Sequence, residues 1–240
     1  MQTIGILGGM GPMATADLFT KIIEYTPANI DQEHPKIIVY NNPQIPSRID
    51  AIIRGTESPV DELIRSAKFL EQAGADFIAM PCNTAHYWYE EIQAAINIKL
   101  INMVENTARY ITEKPVWDKN ELIMLFATAA TVKAGLYHKL FKDNEIKLLE
   151  PSIEEQNIIS LAIEQVKAGN LDDNPFISRV QAIIDKYRGM GIKSFIAGCT
   201  EVPLLFRFIT GDYCPIDPTA LLAQEAVRLA FIEAAVPDRE

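Results

Sequence analysis

Two cysteines stand in loops suited to proton chemistry. Met80-Pro81-Cys82-Asn83-Thr84-Ala85-His86 and Ala197-Gly198-Cys199-Thr200-Glu201 each follow a short apolar run and place polar side chains directly after the thiol. A thiol between a strand and a helix sits near helix N-terminal N–H groups, which lower its pKa. Asn83, Thr84 and Thr200 add groups able to bind a carboxylate or a developing enolate-like oxygen. His86 lies four residues after Cys82, so a Cys–His pair on one helix face is a further expectation. A single cysteine is usually a packing residue, and Cys214, with no cluster of donors around it, is read that way.

Other loops add candidates for binding. Gly8-Gly9-Met10-Gly11-Pro12 joins a strand pattern to a helix pattern. Gly9-x-Gly11-x-x-Ala14 has the form of a dinucleotide fingerprint, but the second strand ends in Asn41-Asn42 where an acidic residue should hold the ribose. The better reading is a glycine loop whose backbone approaches a small anion at a helix N-terminus, with a ligand-free tight turn as the alternative. Arg48, in Pro43-Gln44-Ile45-Pro46-Ser47-Arg48, offers a planar fork suited to a carboxylate. Thr128-Ala129-Ala130-Thr131 could contact a ligand through its hydroxyls or pack a helix against a sheet through its small residues. Lys167 ends a helical segment, and on position alone it is a partner for the helix dipole.

The elements that must position these residues alternate between short apolar strands and amphipathic helices. Strands are expected at Thr3–Leu7, Ile37–Asn41, Phe77–Met80, Leu100–Met103, Leu122–Phe126, Ile146–Leu149 and Ser194–Ala197. Helices are expected at Met13–Glu24, Val60–Ala73 with Ser58 as N-cap, Tyr87–Ala95, Glu105–Ile111 and Val132–Phe141. Ser152 with Glu155 forms a capping box for a further helix closed by Gly169-Asn170. Asn174-Pro175 opens another, and Asp217-Pro218 caps one that runs to about Ala235. Glu113–Asn120 reads as a linker, after which the pattern restarts.

The restart is an internal repeat. A shift of 118 residues sets Ile4–Leu7 over Leu122–Leu125 and Phe77-Ile78-Ala79 over Phe195-Ile196-Ala197, and one deletion then sets Cys82 over Cys199. A duplicated α/β unit places each cysteine just past the carboxyl end of an equivalent strand, the edge where open parallel sheets bind ligands. Two such edges facing each other would aim both thiols into one cleft. The fold expected is α/β, with two pseudo-symmetric domains of mainly parallel four-stranded sheets flanked by helices and the active site between them. Residues 1–103 with 214–240 are expected to form the first domain, and 104–213 the second.

The bulk properties narrow the partners. A net charge of −10 over 240 residues argues against nucleic acid or an acidic membrane surface. No run approaches the ~18 apolar residues of a membrane span. Met1–Gly5 lacks a basic flank and runs into a strand pattern, so it is read as fold and not as a signal peptide. Three sparse cysteines fit reduced thiols in a cytoplasm. With no CxxC and His34, His86 and His138 scattered, no metal site is expected.

Taken together, IGILGGMGPMAT (4–15), PQIPSRIDAI (43–52), MPCNTAH (80–86), LFATAATVKAGLY (125–137) and GCTE (198–201) resemble the aspartate/glutamate racemase superfamily, in family order across most of the chain. Gly-Gly-Met-Gly-Pro stands where the glutamate branch carries an Asp-Ser pair, so the resemblance is to the aspartate racemase branch. The resemblance implies two α/β domains facing across a cleft, a C-terminal segment returning to the first domain, and a homodimer. It implies cofactor-independent racemisation of an acidic amino acid, aspartate or glutamate, by Cys82 and Cys199. It assigns substrate contacts to Met10, Arg48, Asn83, Thr84, Thr128 and Thr200, with Lys167 toward the side-chain carboxylate. No Schiff-base lysine with a phosphate cradle is present to suggest pyridoxal phosphate. The competing expectations are a relative acting on another acidic compound, a non-catalytic binder of acidic amino acids, and a thiol redox protein.

Overall fold

The computed structural model describes residues 1–113 and 121–232. The expected linker, from residue 114 onward, and the expected helix end near Ala235 lie outside them. The first half runs β1 (Ile4–Gly8), α1 (Pro12–Tyr25), β2 (Ile37–Asn41), α2 (Arg48–Arg54), α3 (Val60–Gln72), β3 (Phe77–Ala79), α4 (Tyr89–Ala94), β4 (Lys99–Leu100) and α5 (Met103–Thr112). The second runs β5 (Leu122–Ala127), α6 (Ala129–Lys133), α7 (His138–Asp143), β6 (Lys147–Leu149), α8 (Ile153–Lys167), α9 (Ile177–Gly189), β7 (Ser194–Gly198), α10 (Val202–Phe206), β8 (Cys214–Ile216) and α11 (Pro218–Phe231).

Both halves are four-stranded parallel sheets, ordered β2-β1-β3-β4 and β6-β5-β7-β8. The repeat in the sequence is thus a repeat of topology. Its register is not gapless, however. Phe77 lies opposite Ile4, whereas Phe195 lies opposite Met124, two residues beyond the position the 118-residue shift assigns. A slip of two keeps every side chain on its own face of the sheet, so the core pattern tolerates it.

The central strands of each sheet are buried on both faces, and one covering helix of each sheet arrives from the other half of the chain. Ile4, Ile6, Phe77 and Ala79 pack with Leu18 and Ile22 of α1 and with Leu222, Ala223, Ala226 and Ala230 of α11. Ile123, Leu125 and Ile196 pack with Val104, Ala108 and Ile111 of α5. The crossing back to the first half begins after Ile216 and not at residue 214, because β8 is hydrogen-bonded to β7 of the second sheet. Cys214 is exposed, against the expectation that it packs. It is the first residue of an edge strand, and Ile216, two residues on, is the one that enters the core.

Local chemistry explains most element ends. Ser152 and Glu155 form the expected capping box, and Asp217 accepts from the Thr219 and Ala220 amides at 2.8 and 3.1 Å. Helix α3 is capped by Pro59 and not by the expected Ser58, whose Oγ accepts only a long bond, 3.4 Å, from the Val60 amide. The single helix expected at Val132–Phe141 is two, split around Gly135 at φ 64°. The short helices α2 and α10 add to the expected set. Where the two halves meet at α1, Lys21 binds Asp17 and Asp217, and Arg207 Nη2 reaches Asp17 at 3.1 Å. Among the described residues no helix is long and apolar enough to cross a membrane.

The capping box carries a measurable charge effect. Burial works against the Glu155 carboxylate, but bonds from Lys186, Tyr187 and Ser152 outweigh it and bring its pKa down to about 2. A carboxylate so held contributes stability above its ordinary pKa of 4.5 and loses it as pH falls toward 2. Glu155→Gln is expected to cost about 1–3 kcal/mol at neutral pH. Urea unfolding should show the gap from wild type closing as pH drops below about 4.

Candidate active site

The two cysteines occupy equivalent places, in the loops after β3 and β7, and are 5% and 4% exposed. Neither thiol stands at the start of a long helix. Cys82 precedes a single 3₁₀ turn, Thr84–Trp88, and Cys199 precedes the short α10. His86 does not pair with the thiol. Its Nδ1 donates to the Cys82 carbonyl (2.8 Å) and its Nε2 accepts from the Met103 amide (3.1 Å). Burial keeps its pKa below the ordinary 6.5. It is a neutral brace that fixes the loop from behind.

Around Cys82 the halves touch through polar side chains. The Thr84 hydroxyl lies 3.1 Å from Thr128 Oγ1 and 2.9 Å from Thr131 Oγ1, and those two are 3.0 Å apart. Thr128 also caps α6. Tyr137, fully buried, donates its hydroxyl to Asn83 Oδ1 at 2.6 Å. That bond fixes which way the Asn83 amide faces. Its Nδ2 is buried with no hydrogen-bond partner among the described residues.

Arg48 is the first residue of α2, set by the Ser47 cap. Its Nη1 donates to the Ile45 and Pro46 carbonyls, both at 2.8 Å, which holds the guanidinium in place and leaves Nε buried and unpaired among the described residues. Lys167 is not merely a dipole partner. Burial disfavours its charge, but Glu201, Cys199 and Cys82 raise its pKa against that and against Arg48, so its ammonium lies within electrostatic reach of all four groups. Met10 is buried in the apolar cluster that includes Cys82 and Ile45.

The glycine loop is shaped by close contacts. A Cβ on Gly8 would strike the Thr15 side chain at 2.4 Å, and Gly9, at φ 99°, lies against the Asn42 backbone. Thr15 Oγ1 accepts from the Gly9 amide (2.9 Å) and donates to the Gly11 carbonyl (3.2 Å). The Gly11 amide does meet an anion: Oε1 of Glu201, from the other half, at 3.2 Å. The same carboxylate accepts from the Cys199 thiol at 2.9 Å and from Thr200 Oγ1 at 3.4 Å. Burial and the Glu201 charge push the Cys199 thiol well above its usual pKa, with Lys167 opposing.

Glu201 and Tyr137 join the site without being candidates for it from sequence. Glu201 carries a signal, an acidic residue two after a thiol. Tyr137 carries none, since its partner lies 54 residues away. Of the other candidates, Asn83 and Thr84 follow Cys82 in one loop, and Thr84 meets Thr128 from the other half.

The Asp/Glu/Hydantoin racemase family model matches residues 7–226. The chain belongs to that family. It is 31% identical over 231 residues to the broad specificity amino-acid racemase RacX of Bacillus subtilis, covering 93% of this chain and 96% of that protein. The Picrophilus torridus aspartate racemase superposes with a TM-score of 0.85 at 31% identity, covering 96% of this chain and 94% of that one. An aspartate racemase homologue from Pyrococcus horikoshii gives 0.72 at 26% identity, covering 96% and 99%. This racemase family member is an amino-acid racemase.

Two variants test the braces. Tyr137→Phe frees the Asn83 amide and should lower kcat/KM about tenfold, read by steady-state kinetics. His86→Gln should be less stable by about 1–3 kcal/mol. Since unfolded histidine takes up a proton below about pH 6.5 and buried His86 does not, wild type should lose about 1.4 kcal/mol per pH unit on acidification. Urea midpoints across pH should show this slope reduced in the variant.

Proposed function

We propose that this racemase interconverts L- and D-aspartate, using Cys82 and Cys199 as opposed acid and base and no cofactor. The observation that carries this reading is the pair of buried, unpaired donors, Asn83 Nδ2 and Arg48 Nε, together with an ammonium, Lys167, that feels both thiols. A buried donor left unpaired costs about 1–3 kcal/mol, and a substrate with a carboxylate at each end would repay it at both. The aspartate side is supported by the Gly-Gly-Met-Gly-Pro loop and by the 31% identity to an aspartate racemase. A wider range that includes glutamate is the second reading, supported by equal identity to a broad specificity enzyme.

In this scheme one thiolate takes the α-proton while the opposing thiol delivers its own to the other face. Each turnover exchanges the protonation states of the pair and leaves the net charge unchanged. The weakly acidic α-carbon needs help, which the donors at Asn83 and the Thr84, Thr128 and Thr200 hydroxyls can give by stabilising charge that moves onto the α-carboxylate. Both thiols are buried, so little water reaches them to compete for the proton.

Dialysed protein in heavy water should introduce α-deuterium into L-aspartate and erase its optical rotation. Absence of both effects with aspartate and with glutamate defeats the reading. Cys82→Ala and Cys199→Ala should each lower racemisation by at least about a hundredfold, and full activity in either would exclude two opposed thiols. An α-proton exchange panel over acidic, neutral and basic amino acids measures the range.

A further inference from the structure

The two thiols are equivalent in the repeat but not in their surroundings. The Cys199 S–H points at Glu201 Oε2, 2.9 Å away, inside a loop where both residues are nearly fully buried. The other carboxylate oxygen is held by the Gly11 amide of the opposite half. At the matching place beside Cys82 stands Thr84, whose hydroxyl is engaged with Thr128 and Thr131. One thiol of the pair therefore has a buried carboxylate as its acceptor, and the other has a neutral hydroxyl as its neighbour.

We propose that Glu201 is the positioning residue that keeps the proton on Cys199, so that the resting enzyme enters turnover with Cys82 as the base and Cys199 as the acid. This rests on the two-thiol reading above. The physical cause is direct. Ionising Cys199 would place two negative charges about 3 Å apart in a buried site, and would lose a hydrogen bond that only the protonated thiol can donate. Lys167 on α8 opposes this, and Tyr137, whose buried phenol has a raised pKa and stays neutral, is the other titratable group that faces the thiol. The charge of Glu201 is therefore the feature that distinguishes the pair.

The Gly11 bond adds a second consequence. The amide that fixes Glu201 belongs to the glycine loop of the first half, so the contact between the halves is what aims the carboxylate at Cys199. During turnover Cys82 gains the α-proton and Cys199 loses its own, which leaves a thiolate beside Glu201. That is the less stable arrangement of the pair, and return of a proton to Cys199 restores the resting form. Because two enantiomers are equal in free energy, kcat/KM must be the same for both whatever Glu201 does. The asymmetry appears in the pH dependence and not in a preference for one hand.

The test is the pH dependence of alkylation of the full-length protein by iodoacetamide, with the Cys82 and Cys199 peptides quantified separately by mass spectrometry. In Glu201→Gln the Cys199 midpoint should fall by about one unit or more, with the Cys82 midpoint moving less. The high-pH limb of kcat/KM should move down with it, equally for both enantiomers. An unchanged Cys199 midpoint overturns the proposal. So does a uniform rise in Cys199 reactivity at every pH, since that would make Glu201 only a latch between the halves. Should Glu201→Gln fail to fold, the infrared S–H stretch serves instead. A strongly hydrogen-bonded band should persist in Cys82→Ser and vanish in Cys199→Ser, and its absence from wild type overturns the proposal. Neither thiol measurement needs substrate, so a failure there strikes this assignment alone, while loss of α-proton exchange in wild type strikes the racemase reading.

Discussion

A parallel sheet offers the loops after its strands on one edge only. Thiols that come after equivalent strands of two such sheets can address one carbon only if the sheets turn those edges toward each other. Much of the structure obeys that constraint. The facing loops have to touch, and where they touch they are buried, so polar side chains crossing the boundary need partners from the other side. Thr84 finds Thr128 and Thr131, Asn83 finds Tyr137, and Gly11 finds Glu201. These contacts hold the facing loops together across the boundary.

The charge distribution shows the same economy. The chain is acidic overall, yet Arg48 and Lys167 are placed where the thiols and Glu201 lie. A second charged cluster, Asp17, Lys21, Arg207 and Asp217, ties α1 to the start of α11 and to the segment after α10. Burial pushes Asp17 toward a higher pKa, and Lys21 and Arg207 only partly counter it. Pairs of this kind define a geometry more than they add stability. Here the geometry is the relation of one half to the other.

The residues reveal in advance whatever has a local signature. Strand patterns, the Ser152–Glu155 capping box, the Asp217 cap and the matching Phe-Ile-Ala runs all act within a few residues, and the sheets can be read from them. The α2 and α10 helices escape such a reading because five or seven residues leave too little periodicity. Gly135 escapes it as a break inside a pattern that continues on both sides. The register slip of two between the sheets is invisible to an alignment of apolar residues, because both registers bury the same faces. In the site, Cys82, Cys199, Arg48 and Asn83 are legible from their own loops. The meaning of Glu201 and Tyr137 lies in partners 190 and 54 residues distant, which no local pattern encodes.

The exchange of covering helices has a consequence for how the molecule comes to exist. The first sheet is made early in synthesis, but one of its faces waits for α11, which comes after the whole of the second sheet. Until α11 arrives, Ile4, Ile6 and Phe77 have an incomplete core. The second sheet, by contrast, finds α5 already made when its strands emerge. On a ribosome the later half can therefore finish before the earlier one, and neither half is a module that could be cut out and expected to stand alone. Two units of one topology, each covered by a helix from the other half, thus make one folding unit.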